Sequence, residues 1–295
     1  MICDATNKMA THNKQAPVKI SDIRSDGRNG NNREMVKKER KQKTVMGSLR
    51  KVSMTVGLVI AIIIFGSIAF ITTLTVMANA RNLKASNAEY EYLQQLADES
   101  DSVSNESGAI RHGALDEEML SINPDYVCWI RVDGTEIDYP VVRGNDNEKY
   151  LTLSFNGEEN IAGAIFMDYR NRGDLLTYDI EAAFPHIIIY GHNIKRGGMF
   201  GGLRKYLDEQ YMEEHPIITL IVDDQIIEFE IFSARQTDIE DPAYFLHFDA
   251  PHVFPRFANQ IDAPLAATQI ITLSTCISTG DNDARMIVQG YRLFG

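Results

Sequence analysis

From residue 52 to residue 80 the chain carries no charged side chain, and the 21 residues 56–76 within that stretch include thirteen Val, Leu, Ile or Phe. Wound as a helix, 21 residues reach about 31 Å, the hydrocarbon thickness of a bilayer. Each such side chain favours insertion, so the run gains on the order of 4–8 kcal/mol in lipid. A buried helix in a soluble core is the alternative, but the length fits a membrane span. The run therefore predicts a transmembrane helix over 52–80, and it limits the soluble fold to the sequence on either side.

Charge gives the span a direction. Residues 1–51 hold thirteen Lys/Arg against five Asp/Glu, and eight of those positives lie between positions 33 and 51. Residues 81–295 hold 16 positives and 36 acids, a net of −20. Basic residues stay on the cytoplasmic side, so the N-terminus is expected inside and everything after Ala80 outside. Ala78-Asn79-Ala80 resembles a signal-peptidase site. However, a leader of fifty residues and an apolar run this long favour an uncleaved anchor. The tail 1–51 is basic, rich in Asn and without apolar periodicity, which predicts disorder.

The acidic exterior opposes nucleic-acid binding, since phosphate contacts need a basic surface. Three cysteines are too few and too scattered for a disulfide framework, although the domain is expected on the oxidising side. Cys3 belongs to the tail, and Cys128 beside Trp129 reads as a small buried hydrophobe. Cys276 is left over as a candidate reactive thiol. No spacing of His, Cys and Asp suits a metal, and no cofactor is expected.

Beyond the span, residues 81–114 read as a helical and then acidic, Ser-rich stalk, and the folded domain is expected over 115–295. Within it, 128–132 and 135–138 read as strands joined by a two-residue turn at Asp133-Gly134. Further strands are expected over 161–167, 186–190, 217–222, 225–233 and 285–294, with a helix over 197–206. The aromatic-rich stretch 241–261 reads as a helix inside a long loop, of the kind that builds substrate walls. Many short strands with turn signals and few helices predict a mainly β fold, a barrel with helical additions.

The segment Gln269-Ile-Ile-Thr-Leu-Ser-Thr-Cys276 is an apolar, β-branched strand that delivers a thiol to its end. A polar loop over 277–284 follows, and then a strand beginning with Arg285. A thiol of ordinary pKa is only a few per cent thiolate at neutral pH and needs a neighbouring cation or base. Of seven histidines, His192 alone caps an apolar strand between Gly191 and Asn193, so its ring is expected to face a cleft. Spacing alone leaves Arg285 open between a surface ion pair and a donor to a carbonyl oxygen that becomes an oxyanion. Alternation places Ser274 on the same face as Cys276.

Several blocks occur together and in order: Asn123-Pro-Asp, Trp129-Ile, Asp133-Gly-Thr-Glu-Ile-Asp-Tyr-Pro-Val-Val142, Gly163-Ala-Ile-Phe-Met-Asp-Tyr-Arg-Asn171, Tyr190-Gly-His-Asn193, Met199-Phe-Gly201 and Thr272-Leu-Ser-Thr-Cys276 with a following arginine. In these the chain resembles the class B sortases, membrane-anchored cysteine transpeptidases of Gram-positive bacteria, from about Asn123 to the C-terminus. The resemblance implies a closed eight-stranded barrel with Cys276 as nucleophile, His192 as general acid/base and Arg285 as oxyanion and substrate clamp. Ser274, Thr275 and Asn193 are then substrate contacts. It implies attack on the Thr–X bond of a C-terminal sorting motif in surface proteins, and transfer of the thioacyl group to an amine of a cell-wall precursor such as lipid II. Alternatives are a pilin-polymerising sortase, a membrane-tethered cysteine hydrolase that uses water, and a non-catalytic binding module. Cys128 departs from the family habit of a small Gly before the Trp.

Overall fold

The computed structural model describes residues 29–107, 114–171, 175, 185–194, 198–223, 225–250, 252–276 and 283–293, with backbone alone at 29–32, 100–107, 114 and 276. Residues 1–28 of the tail, 108–113 of the expected stalk and most of the loop after Cys276 lie outside the described residues. The chain divides into two compact units, Met1–Ile71 and Thr72–Gly295.

Helix α1 (Asn29–Ser107) begins in the first unit. Its apolar run is long enough to cross a membrane, and none of it is buried in protein. Phe65 is 73% and Ile62 61% exposed. A helix apolar all round and covered by no protein has the character of a lipid-facing span.

In the second unit the end of α1 belongs to the fold. Tyr90, Leu93 and Ala97 recur on one helical face and are buried in the same apolar cluster as the barrel strands. The Tyr90 ring meets Tyr139 edge-on at 5.2 Å, and its hydroxyl donates to the Gly163 carbonyl at 3.2 Å. Residues 90–97, assigned to a stalk from the sequence, are therefore packed against the domain. Their periodicity was legible, but the surface they cover was not.

Eight strands follow: β1 (Tyr126–Val132), β2 (Asp138–Val142), β3 (Ile165–Met167), β4 (His186–Tyr190), β5 (Ile217–Val222), β6 (Gln225–Thr237), β7 (Ile270–Cys276) and β8 (Arg285–Arg292). They close into a barrel in the order β1-β2-β3-β4-β7-β8-β6-β5, as the predicted fold class requires. The pairs β2/β3 and β4/β7 are parallel and the others antiparallel. Trp129, Ile130, Met167 and Phe229 are fully buried. Cys128 is also wholly buried, and burial first of all, then the nearby Asp116, raises its thiol pKa well above the ordinary range. It acts as a small hydrophobe, as expected.

Some boundaries differ from expectation. Val132 N–H donates to the Ile137 carbonyl, so β1 and β2 are joined by the five residues 133–137 instead of a two-residue turn. β3 starts only at Ile165, because Gly163, at φ +58, turns the chain just before it. The helix expected over 197–206 is a 3-10 helix, Phe200–Leu207. The loop helix is α5 (Val253–Gln260), preceded by a 3-10 turn, Pro242–Tyr244. Short helices α2 (Ala114–Ile122), α3 (Lys149–Thr152) and α4 (Glu209–Glu214) complete the unit.

One buried histidine ties this loop to the barrel. His186 has both ring nitrogens engaged, Nδ1 at 2.8 Å from the Phe245 carbonyl and Nε2 at 2.8 Å from Thr272 Oγ1. Its ring lies 4.7 Å from that of Phe257 in α5. Burial lowers its pKa from 6.5 to about 4. Between those values the unfolded chain binds a proton here that the folded chain does not. Stability therefore falls as pH drops through this window, by about 3 kcal/mol at its lower end. Urea midpoints of the wild type and His186→Gln at pH 7.5 and 4.5 test this. The variant is expected to be less stable at pH 7.5 and to lose much of the acid sensitivity; an unchanged acid slope would rule out His186 as its source.

Candidate active site

The order of three neighbouring strands builds the site. β7 lies between β4, parallel to it, and β8, antiparallel to it. Tyr190 pairs with Ser274, and carrying that register two residues further brings His192 level with Cys276. On the other side, Cys276 pairs directly with Arg285. Adjacent strands lie about 4.8 Å apart. A strand-end thiol position is therefore flanked by an imidazole-bearing and a guanidinium-bearing segment, although the three residues are far apart in sequence.

A cleft of about 540 Å³ opens at these strand ends, lined by His192, Ser274, Thr275 and Arg285 among others. Its apolar wall comes from Leu151, Phe166 and Ile239, and its aromatic wall from Tyr190 and Tyr244. The size and mixture suit an extended peptide. Asn193 is not on this cleft. It lines a neighbouring cavity of about 260 Å³ that shares only Thr275 with the first.

The His192 ring is held by its Nε2, 2.7 Å from the Leu151 carbonyl. A carbonyl only accepts, so Nε2 carries the proton and donates. Nδ1 is then the nitrogen left for proton exchange. The chain leaves His192 through Asn193, which bridges Met199, and the Phe200 N–H returns to the His192 carbonyl at 3.0 Å. Both ends of the residue are fixed.

Gly163 supports the same geometry. A Cβ there would lie 2.5 Å from the Tyr150 carbonyl oxygen and 3.0 Å from both His192 Cδ2 and the Leu151 oxygen. Its left-handed φ adds a strain that any side chain would bear. Gly163→Ala is expected to cost about 1–3 kcal/mol of stability. It is also expected to slow turnover at least tenfold by displacing the imidazole. Wild-type melting and turnover in this variant would show that the 149–164 segment yields without moving His192.

Ser274 is buried, and its hydroxyl lies 2.8 Å from that of Tyr244. Tyr244 ends the 3-10 turn that Asp241 caps by accepting from the Ala243 N–H at 2.8 Å. Asp241 also receives Arg235 Nη2 at 2.7 Å; Arg235 Nη1 reaches Gln289 at 2.7 Å, and Gln289 donates to Thr272 at 3.1 Å. A chain of hydrogen bonds thus runs from the barrel interior to the cleft wall. The Thr275 hydroxyl is buried and has no hydrogen-bond partner among the described residues. Arg285 donates to the Ala284 carbonyl at 3.1 Å and is partly buried at the rim.

Tyr244, Leu151, Asn147 and Arg170 were not picked out from the sequence as lining residues. Tyr244 stood within an aromatic-rich loop and Arg170 within a motif block. Leu151 and Asn147 carried no signal, because only the folded 147–164 connection brings them to the cleft.

The chain matches the sortase domain model over residues 130–293. It is 34% identical over 198 residues to sortase B of Listeria monocytogenes, covering 63% of this chain and 76% of that one. It is 32% identical to sortase B of Staphylococcus aureus, covering 58% and 71%. Among solved structures, a sortase B–substrate complex from Staphylococcus aureus superposes with a TM-score of 0.61 at 30% identity, covering 71% of this chain and 97% of that one. Sortase B of Clostridium perfringens gives 0.53 at 28%, covering 61% and all of that chain.

Proposed function

The chain belongs to the sortase family, and within it to class B, and from this we propose that it anchors surface proteins by cleaving the Thr–X bond of a C-terminal sorting signal. Sortases are cysteine transpeptidases, so the enzyme class is settled by membership. The finer reading assigns each residue a step.

Cys276 attacks the carbonyl carbon of the threonine as its thiol proton passes to His192 Nδ1, and its position falls on the same face of β7 as Ser274 by strand alternation. The tetrahedral oxyanion is stabilised by Arg285. His192 gives its Nδ1 proton to the leaving amine, which departs as the C–N bond breaks and a thioester remains. The same nitrogen then takes a proton from the incoming amine of a cell-wall precursor such as lipid II. The new amide forms and the thiol is released. Ser274 and Thr275 contact the peptide, and Asn193 serves the adjoining cavity.

The observation that supports this reading is the β4–β7–β8 register, in which the backbone position of Cys276 pairs with Arg285 and lies level with His192, two residues that line a peptide-sized cleft. The partnerless Thr275 hydroxyl supports it, because a buried polar atom without a partner is costly unless a ligand supplies one. The solved substrate complex of a relative supports reading the cleft as a substrate site.

For topology, we assign residues 1–51 to the cytoplasm, 52–80 to the membrane and 81–295 to the exterior, with 115–295 as the catalytic domain. The charge asymmetry across α1 supports this orientation.

The test uses the full chain in detergent with peptides from a library randomised around a fixed threonine, with and without triglycine as amine acceptor. A thioacyl adduct by intact mass and an amide product with triglycine are expected. Release of free acid alone in both reactions would make the protein a hydrolase instead.

A further inference from the structure

Arg170 stands in the Asp168-Tyr-Arg-Asn171 part of a motif block, and the acyl-transfer steps give it no role. Its neighbour Asp168 is fully buried. One Asp168 carboxylate accepts five hydrogen bonds: Arg170 Nε at 2.9 Å, Nη2 at 2.8 Å and backbone N–H at 3.0 Å, Asn147 Nδ2 at 3.0 Å and the Tyr190 hydroxyl at 3.0 Å. Burial raises the carboxyl pKa, but the bonds from Arg170 and Asn147 outweigh it and hold the group below its ordinary value. Asp168 is thus a saturated anion.

The pair is asymmetric. The carboxylate is sealed in the interior, whereas the Arg170 side chain is 44% exposed and lines the cleft. Two of its nitrogens are used by Asp168, and Nη1 has no partner among the described residues. The fork is held rigid from behind, so an incoming group meets a pre-oriented donor edge at little entropic cost.

The cleft's charge points the same way. Among its described lining residues there are two guanidinium groups, Arg170 and Arg285, an imidazole, and no Asp or Glu. Yet residues 81–295 carry a net of −20. A cleft bare of acids in so acidic a domain attracts anions selectively.

We propose that Arg170 forms a carboxylate-binding subsite of the cleft, distinct from the oxyanion function assigned to Arg285, which takes a carboxylate carried by one of the two substrates. The proposal rests on the acyl-transfer reading above. The carboxylate has two sources: an acidic side chain flanking the threonine of the donor peptide, or a carboxylate on the amine acceptor.

The experiment separates them with the full chain in detergent. In one arm the acceptor is triglycine or triglycinamide with a fixed donor. In the other, the donor carries Glu or Gln at each position flanking the threonine, with triglycinamide as acceptor. Rates of amide formation are read as the ratio of acid to carboxamide partner, a ratio insensitive to any general loss of activity. The wild type is expected to favour the acid form about tenfold in one arm. Arg170→Gln is expected to bring that ratio near one, and Arg170→Lys, which keeps charge but not the planar fork, to retain a few-fold preference. Equal handling of acid and carboxamide by the wild type in both arms overturns the proposal, as does an undiminished preference in Arg170→Gln. Absence of any thioacyl adduct would sink the acyl-transfer reading and this subsite with it.

Discussion

Cys276→Ala is expected to abolish thioacyl formation and turnover with any donor peptide. Cys276 ends β7, the strand whose Ser274 and Thr275 line the cleft. Cys128, the cysteine the structure describes in full, is wholly buried with its thiol pKa pushed far up by burial. It is neither accessible nor ionisable enough to substitute. Residual binding and oxyanion stabilisation cannot replace a missing covalent intermediate, and the rate should fall to background. Intact mass after incubation with donor peptide gives the direct reading, while unchanged melting would show that the fold persists. A peptide-dependent adduct in the alanine variant would remove Cys276 as nucleophile.

Arg285→Ala is expected to lower kcat/KM by about 100- to 1000-fold, the usual cost of losing one preorganised donor to a developing oxyanion. The register leaves little freedom about which residue does this: Arg285 is the cross-strand partner of Cys276 in the β7/β8 ladder. If it acts mainly in the transition state, kcat and kcat/KM fall together; if it clamps ground-state peptide, KM rises instead. Arg285→Lys keeps the charge but loses the fork, and should recover only part of the loss. Near-normal kinetics in Arg285→Ala would return this arginine to the role of a rim ion-pair residue. His192→Ala, which removes the only imidazole lining the described cleft, should produce a loss of similar order.

These expectations depend on different kinds of information. Strands such as β4, β5 and β7 were legible because they are continuous β-branched runs. Such runs lose little by being extended and gain by burial from both sides. Turn geometry was less legible. Asp133-Gly134 carries a strong hairpin signal, but Thr135, Glu136 and Ile137 extend the loop because Ile137 is buried at 1% exposure and its carbonyl pairs with Val132. Tertiary burial outweighed local turn preference.

The same division applies to the site. Cys276 and His192 stood out by their positions at strand ends, whereas spacing alone left Arg285 open, and the resemblance gave the three their roles. Asn193 was expected as a substrate contact; the chain turns there to bridge Met199, and Asn193 lines the neighbouring cavity. Local sequence carries no information about which way a residue after a strand will face.

By itself, the sequence determined an uncharged apolar run of bilayer length, a charge asymmetry across it, a mainly β fold and the residue types able to perform acyl transfer. These are properties of composition and short-range periodicity, set by transfer free energies and backbone sterics. Only the tertiary structure decided that β4 lies parallel to β7, and so that the position of His192 comes level with that of Cys276. It also decided that Leu151 fixes the imidazole through Nε2, that Tyr90 of α1 packs on the barrel, and that Asp168 holds Arg170 in the cleft. All but the Asp168–Arg170 pair join residues tens of positions apart, and their partners are chosen by barrel closure and core packing, which no local window of sequence contains.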